Sequence, residues 1–312
     1  MYKYKLSNLI DNFISDNQKN INSLALKYSL NSKTIEIQIR LHLPFYDIEQ
    51  LKNDNNIVYD ICVKLDKYLK FYHYFNMKLD LKYNFLFDSK IKGKNDIYIE
   101  TKNNEKIKIY FKKINSVVTD KIFQQKLHYI KKFRKDTFES FGFFLKENDK
   151  YPICYASLSI CDRNYLINAL KKVNILDDNF KNTILILTRA FSIENAPKNL
   201  MSKFFDCIYN YYTSNNDVSI ILTALNPVLG FQGSIFKGSS YFQFASSPMI
   251  YYYDKNGVYL NRRTSINKLS YKNKIEIPPI IWLARGTNKK IQKNIENNKL
   301  IYTITNDEYG TG

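Results

Sequence analysis

The chain is expected to fold as an α+β protein, a mixed central sheet flanked by helices and preceded by a helical and small β-rich amino-terminal region. Three observations predict it. The first fifty residues place apolar side chains at helical spacing, with Leu6, Ile10 and Phe13 on one face. Residues 78–111 change to short alternating segments separated by Asn, Gly and Lys. The second half alternates strands with helices, and two of its strands, Asn182–Phe191 and Val218–Leu225, are apolar throughout their centres, as strands covered on both faces are.

Taken in order, the run beginning at Asn22 leads through Ser29-Leu30-Asn31-Ser32 into a second periodic run from Lys33 to Leu43, closed by Pro44. Two short helices around a tight polar turn match a helix-turn-helix. Its second helix would expose Lys33, Glu36, Gln38 and Arg40 to a groove; a plain helical hairpin packed on the main domain is the alternative. Helical spacing continues from Ile57 to Tyr74. Segments Lys82–Phe87, Asp96–Glu100 and Lys106–Phe111 then form a small β module, with a hairpin turn at Asn103-Asn104 because Asn tolerates positive φ.

Phe123 to Lys135 reads as a basic amphipathic segment. Phe138–Leu145 and Tyr151–Ile160 pair as a hairpin, Arg163–Val173 is a helix, and Asn182–Phe191 a buried strand. A polar loop from Ser192 opens a helix from about Lys198 to Tyr212, with Pro197 suited to its first position. After Val218–Leu225 comes a glycine-containing segment, then a hairpin of Met249–Tyr253 and Val258–Asn261 across Asp254-Lys255-Asn256-Gly257. Pro278–Arg285 is a stiff extended element expected to dock back on the domain, and Lys299–Ile304 an edge strand. The expected division is 1–115 for the amino-terminal region and 116–312 for the main domain with its carboxy-terminal extension.

With 312 residues the chain can bury a sizeable core, and no period of 20 to 50 residues repeats, which excludes solenoids and propellers. Four cysteines without a CxxC pair give neither a disulfide framework nor a zinc knuckle, so a reducing, cytoplasmic setting is expected. No apolar run approaches the roughly 20 residues of a membrane span, and no membrane association is expected. A formal charge of +18 points to a polyanionic partner, DNA or an anionic cofactor. Lys, Asn, Ile and Tyr are all abundant, as an AT-rich genome writes them, so a solvated basic surface is the alternative reading.

A buried strand ending in a polar loop that opens a helix can hold a phosphate with backbone N–H groups and the helix dipole. Residues 183–203 have that layout, with Asn195, Lys198, Asn199 and Ser202 able to donate to an anion. The glycine-rich form of such a loop, Gln or Arg-x-x-Gly-x-Gly/Ala, is absent. Upstream, Lys126, Lys131, Lys132, Arg134 and Lys135 surround His128, with Tyr129 and Phe133 interleaved: charge for phosphates and rings for stacking an extruded base.

The order of these features resembles the later half of a GCN5-related N-acetyltransferase (GNAT) fold, and within it the phage Mom DNA-modification family. The matching residues are the pair His128-Tyr129, then Arg189 with Asn195 and Ala196, then Gly230 and Gly233, over roughly residues 120–265. Asn226 stands where the family has an acidic residue, and Phe236 where it has Tyr. The resemblance implies a transferase that modifies the exocyclic amine of adenine in DNA and so protects it from restriction. Its donor would be acetyl-CoA or a related acyl donor, with metal involvement left open. Donor-binding residues would be Arg189, Asn195, Ala196, Lys198, Asn199 and Ser202; Lys126, Lys131, Lys132, Arg134, Lys135, Gly230 and Gly233 would meet the nucleic acid.

An aryl amine is a poor nucleophile, so such an enzyme must align an activated donor within about 3–3.5 Å and remove a proton. His128 is the expected general base, Tyr129 orients it or the substrate, and Tyr251 or Tyr253 is the candidate acid for a leaving thiol. A partly buried structural histidine, an Arg189 ion pair with Asp162 or Glu194, and an aromatic strand core are the corresponding structural readings. His42 and His73 are expected to be packing or surface residues. An acyl-CoA-dependent transferase acting on a protein or small-molecule amine, and a non-catalytic DNA-binding protein, are the alternative functions.

Overall fold

The computed structural model describes residues 5–46, 51, 54, 56–82, 89–93, 96–194, 196–214, 218–231, 233–253, 259–260, 273–305 and 308. The amino-terminal helices are α1 (Lys5–Asp16), α2 (Gln18–Tyr28), α3 (Ser32–His42), α4 (Ile57–Lys64) and α5 (Asp66–Lys82). Between α2 and α3 the chain reverses at Ser29, which takes a left-handed φ of 50°. Leu30 N–H closes the end of α2 on Ala25 O. Asn31 then caps α3 by accepting from Lys33 N–H at 2.8 Å.

The helix-turn-helix reading is corrected here. Of the residues α3 was expected to present, Gln38 and Arg40 are buried beside Ile35 and Ile39, Glu36 is half-buried, and Lys33 is exposed. Arg40 Nε donates to Glu36 at 2.8 Å, and its Nη1 donates to Asp11 at 2.6 Å and to Val228 O at 3.2 Å. Lys33 closes on the same Glu36. The amino-terminal helices are therefore a packed wall of the molecule, the alternative that the sequence left open. Ile10, Ile21, Ile35, Ile39, Ile61 and Leu69 share one apolar core with Phe141, Tyr155, Phe191 and Phe204 of the main domain.

A three-stranded antiparallel sheet follows, β1 (Lys90–Lys92), β2 (Tyr98–Glu100) and β3 (Lys106–Lys108), with Asn104 at φ 62° in the expected hairpin turn. Of Lys82–Phe87, the first expected segment of this module, Lys82 is the last residue of α5 and the remainder lies outside the described residues. The segment read as Lys106–Phe111 divides: β4 (Tyr110–Lys113) leaves the small sheet and pairs with the main one, so the main sheet begins ahead of the expected boundary at residue 115.

The main sheet contains β4, β5 (Glu139–Phe144), β6 (Cys154–Ile160), β7 (Thr183–Ser192), β8 (Val218–Leu225), β9 (Phe242–Tyr253), β10 (Tyr259–Leu260), β11 (Asn273–Gly286) and β12 (Tyr302–Thr303). Its order is β10, β9, β11, β8, β7, β6, β5, β4, with β12 parallel to β9 at the side. The β7–β8 pair is parallel and its neighbours are antiparallel, so the sheet is mixed as expected. Helix α6 (Val117–Lys121) runs into the segment before β5, α7 (Asn164–Lys172) follows β6, and α8 (Leu200–Thr213) is the crossover between the parallel strands. Short α9 (Ser234–Lys237) precedes β9, and α10 (Lys289–Asn297), which the sequence reading missed, follows β11.

Two expectations about local structure change. The 278–285 element does more than dock on the domain: it is the body of β11, inserted between β8 and β9. Pro197 does not begin a helix; Asn199 enters α8 in a left-handed conformation at φ 67°, and Leu200 is its first residue. The turn residues 254–257 of the Tyr251-side hairpin lie outside the described residues.

The feature that positions the site is a divergence at the sheet's centre. Parallel pairing of β7 and β8 runs from Thr183 opposite Val218 to Leu187 opposite Thr223, then stops. Thr188 is an extra residue between the Leu187 and Arg189 pairings with β6, a bulge that bends β7. From there to Ser192, β7 pairs with β6, while β8 continues to Leu225 beside β11. Past Leu187 and Thr223 the two parallel strands no longer pair with each other.

Candidate functional site

Arg189 is the residue just past the bulge. It is 7% exposed, its Nη1 donates to Thr188 O at 2.7 Å and its Nη2 to Lys132 O at 3.3 Å. Its Nε is buried and has no hydrogen-bond partner. Neither structural ion pair expected for it forms: Glu194 instead accepts from Asn31 N–H and Thr34 Oγ1. Among the described residues, no carboxylate lies within salt-bridge distance of Arg189.

Lys132 O reaches Arg189 because the basic amphipathic segment 123–135 is helical only as far as Leu127. Ile122–Leu127 is a π-helical turn, closed by His128 N–H on Phe123 O at 2.8 Å, and single π turns concentrate where a chain must be re-aimed. Phe123 and Leu127 anchor it in the core. Lys131 adopts a left-handed φ of 54°, and Gln124 Oε1 accepts Arg134 N–H at 2.8 Å, so residues 128–135 return along β7. Gln124 Nε2 also donates to Tyr155, whose hydroxyl donates to Asp120 at 2.8 Å. Burial raises the Asp120 carboxyl above its ordinary range.

His128 is 5% exposed, and burial, with the Arg189 charge adding to it, holds its imidazole well below the usual value, so the ring is neutral at pH 7. Its Nδ1 lies 3.2 Å from Ile130 N and accepts that N–H. A neutral ring with Nδ1 accepting carries its proton on Nε2. The expected general base is therefore corrected: His128 offers a donor, since its lone pair is already occupied. The Tyr129 ring packs on the imidazole at 4.2 Å and on Phe231 at 5.4 Å, bridging from the 128–135 segment to the loop after β8. Burial raises the Tyr129 hydroxyl, opposed by the Arg189 charge.

The His128 and Tyr129 rings pack on each other in the field of the Arg189 charge, and the guanidinium bonds the same segment at Lys132 O; the loop ahead of α8 is partly tied into the fold. Three of its N–H groups are committed: Ile193 to Ile153 O, Glu194 to Asn76 Oδ1 at 2.9 Å, and Lys198 to Ser89 O at 2.9 Å. Pro197 has no N–H to give. The Lys198 carbonyl accepts from Ile91, so β1 is laid along the turn. Lys198 and Asn199 are exposed, Ala196 is partly buried against the core, and Asn195 lies outside the described residues. Ser202 Oγ donates to Ile235 O at 3.5 Å.

The candidate nucleic-acid residues divide likewise. Lys126, Lys132 and Lys135 are exposed around the site. Lys131 turns inward: its Nζ donates to Gln38 at 2.6 Å and lies 4.8 Å from the Tyr68 ring centroid, and burial lowers its pKa to about 8. Arg134 is held by both oxygens of Asp136. Gly230, at φ 75°, sits against Lys33, Glu36 and Arg40 of α3, and Gly233, at φ 73°, against Leu225; both serve local backbone geometry and packing. Tyr251 stands opposite Ile275 on the β9–β11 ribbon, which runs beyond the last pairing with β8, and it packs against the main core. Among the described residues no group of three or more His, Cys, Asp or Glu could hold a metal, and no helix is long and apolar enough to cross a membrane.

Sequence reading missed Phe231 and the Gln124–Tyr155–Asp120 network. Phe231 had a local signal, an aromatic between two glycines; the network had none, because its members meet only through the tertiary fold.

No protein-family model and no curated protein matches the chain. Among solved structures, Arabidopsis thaliana NAA60 in complex with acetyl-CoA is 10% identical, with a TM-score of 0.36 over 57% of this chain and 98% of that one. An N-acetyltransferase from Staphylococcus aureus Mu50 is 12% identical, with a TM-score of 0.33 over 57% and 97%. A putative arylalkylamine N-acetyltransferase of the yellow fever mosquito is 9% identical, with a TM-score of 0.28 over 48% and 64%. Likeness at these scores decides nothing about activity, which rests on the side chains.

Proposed function

We propose that the chain is an acyl-type group transferase whose reaction takes place where β7 and β8 diverge, and that its acceptor is an exocyclic amine of a DNA base, adenine N6 in the first instance. The observation that carries the reading is the packing of His128 on Tyr129 in the field of Arg189, beside the stretch of β7 past Leu187 that no longer pairs with β8. Unpaired strand groups there can hold an extended acyl carrier by main-chain hydrogen bonds, as an added strand would.

The proposed chemistry follows from the protonation states. As an amine attacks an acyl carbon, charge develops on the acyl oxygen, and the Nε2–H of a neutral, preorganised His128 is suited to receive it. Once bonded to that carbon, the amine nitrogen is strongly acidic, so its proton leaves to water without a basic imidazole; collapse of the adduct then breaks the bond from the acyl carbon to its carrier, whose heteroatom leaves with the electron pair and takes a proton from water. Arg189 holds an anionic part of a ligand, and the Tyr129 and Phe231 rings offer a face for a planar group.

Exposed Lys126, Lys132 and Lys135, with a formal charge of +18, support the polyanionic acceptor. A base in a duplex would have to be extruded to reach so buried a donor. A protein or small-molecule amine is the second reading, favoured by the internal commitment of Lys131 and Arg134, which removes two of five expected phosphate contacts. DNA binding through the amino-terminal helices loses its basis with the burial of α3. Mass analysis of nucleosides from DNA of expressing cells tests the acceptor: a new modified adenosine, absent with His128→Ala, is expected, and unmodified nucleosides reject it.

A further inference from the structure

The small sheet of β1, β2 and β3 has two opposite faces, and its register sets them. Ile91, Ile99 and Ile107 stand side by side and turn inward, the first two buried and Ile107 packed against the main core. The alternate residues turn outward. These are Lys90 and Lys92 of β1, Tyr98 and Glu100 of β2, and Lys106 and Lys108 of β3, and all four lysines are exposed.

The same alternation runs on into β4. Ile109 is buried and Phe111 packs against the core, so Tyr110 and Lys112 follow Lys108 on the outward side. Cations and rings interleave there: Lys106 Nζ lies 5.1 Å from the Tyr98 ring centroid, and Lys108 and Lys112 Nζ lie 5.4 and 5.9 Å from that of Tyr110. Glu100 is the one carboxylate among these outward residues, and Lys92 closes on it. Among the described residues no carboxylate lies within salt-bridge distance of Lys90, Lys106, Lys108 or Lys112; Lys112 donates to the backbone oxygen of Glu147.

We propose that this face binds single-stranded nucleic acid, with Tyr98 and Tyr110 each stacking a base and Lys106, Lys108 and Lys112 taking the adjoining phosphates. The inference goes beyond the transferase reading and uses none of its residues.

A single strand suits the face better than other polyanions do. Its bases have free π faces, and the two half-buried rings can meet neighbouring ones: Tyr98 stands opposite Lys108 and Tyr110 two residues further on, so the rings are rooted roughly 8 Å apart. A duplex keeps its bases stacked on one another and would leave both rings unused. A bilayer surface calls for apolar side chains to bury, and the exposed large apolar residues of the described chain lie outside 89–113. An acidic peptide would satisfy the lysines and not the rings.

The test is fluorescence anisotropy of a short labelled oligothymidine titrated with the full chain, alongside a duplex of the same length and with polyglutamate of equal charge as competitor. Saturable binding of the single strand is expected, tighter than that of the duplex and not displaced by polyglutamate. Tyr98→Ala with Tyr110→Ala should weaken it about tenfold or more. Lys106→Gln with Lys108→Gln should reduce the slope of log affinity against log salt by about 1.4, the single-strand value for two phosphate contacts. Lys289→Gln with Lys290→Gln removes the same charge from exposed positions on α10, after β11, and should leave affinity within about twofold at physiological salt. Should the tyrosine variant fail to fold, as judged by circular dichroism, the two lysine pairs decide. No saturable binding, tighter binding of the duplex, displacement by polyglutamate, or an equal loss in both lysine pairs overturns the proposal. Binding through this face without any modified adenosine keeps the face and removes the acceptor proposed above; modified adenosine without such binding removes this face alone.

Discussion

His128 Nδ1 accepts the backbone N–H of Ile130 at 3.2 Å, and that one contact fixes the imidazole as a hydrogen-bond donor through Nε2. Histidine in a transferase site is commonly read as a base. Here burial keeps the ring neutral and the local turn consumes its lone pair.

Activity is therefore expected to show no imidazole ionisation at the ordinary value of 6.5 or above it. The rate should fall by about 100-fold or more in His128→Ala, the usual loss on removing a preorganised donor to a developing oxyanion. A pH–rate profile with a limb near 6.5 that disappears in the variant would restore the base.

Arg40 ties α3 to the loop after β8, and its removal leaves Glu36 partly buried beside Lys33 alone. Arg40→Ala should destabilise the whole chain by about 3 kcal/mol in urea, the scale for breaking one member of a buried pair. A single cooperative transition is expected, since the helices and the sheet share one core. Two separate transitions would contradict that.

The two glycines after β8 should respond differently to alanine. At Gly233 a Cβ would lie 2.5 Å from Leu225 Cδ1 at φ 73°, so conformational strain adds to a clash in the core. At Gly230, φ is similar, but the nearest atom is Lys33 Nζ, the movable end of a long side chain. Losses of about 3 and about 1 kcal/mol are expected, compared by thermal unfolding.

Lys131 gives a pH signature. Its pKa is lowered by burial to about 8 from an ordinary 10.5. Between those values the unfolded chain holds a proton that the folded chain has released, so this residue makes stability rise with pH across that window; below pH 8 both states are protonated and burial is a net cost. Lys131→Met should remove this rise and be the more stable protein at pH 7. A variant with an unchanged slope would place Lys131 in solvent.

Much of the fold was legible because its signals are local. Apolar periodicity marked the helices, continuous apolar runs marked β7 and β8, and Asn104 marked its own turn. The direction of Lys131 and the commitment of the loop ahead of α8 were not legible. Both depend on partners more than 90 residues away, Gln38 for Lys131 and Ser89 for Lys198, and no spacing rule reaches that far. The helix-turn-helix pattern misled because a docked hairpin and a DNA reader share the same turn chemistry; what distinguishes them, Arg40 bonding to Val228 O, lies 188 residues away.

The central claim is tested most directly by incubating the purified chain with single-stranded DNA and a soluble extract of expressing cells as the donor source, then weighing the released nucleosides. A mass increase on adenosine, present with the wild-type chain and lost with both His128→Ala and Arg189→Gln, is the predicted result. Adenosine of unchanged mass with the folded wild-type chain, or an increase that survives both substitutions, would contradict the account.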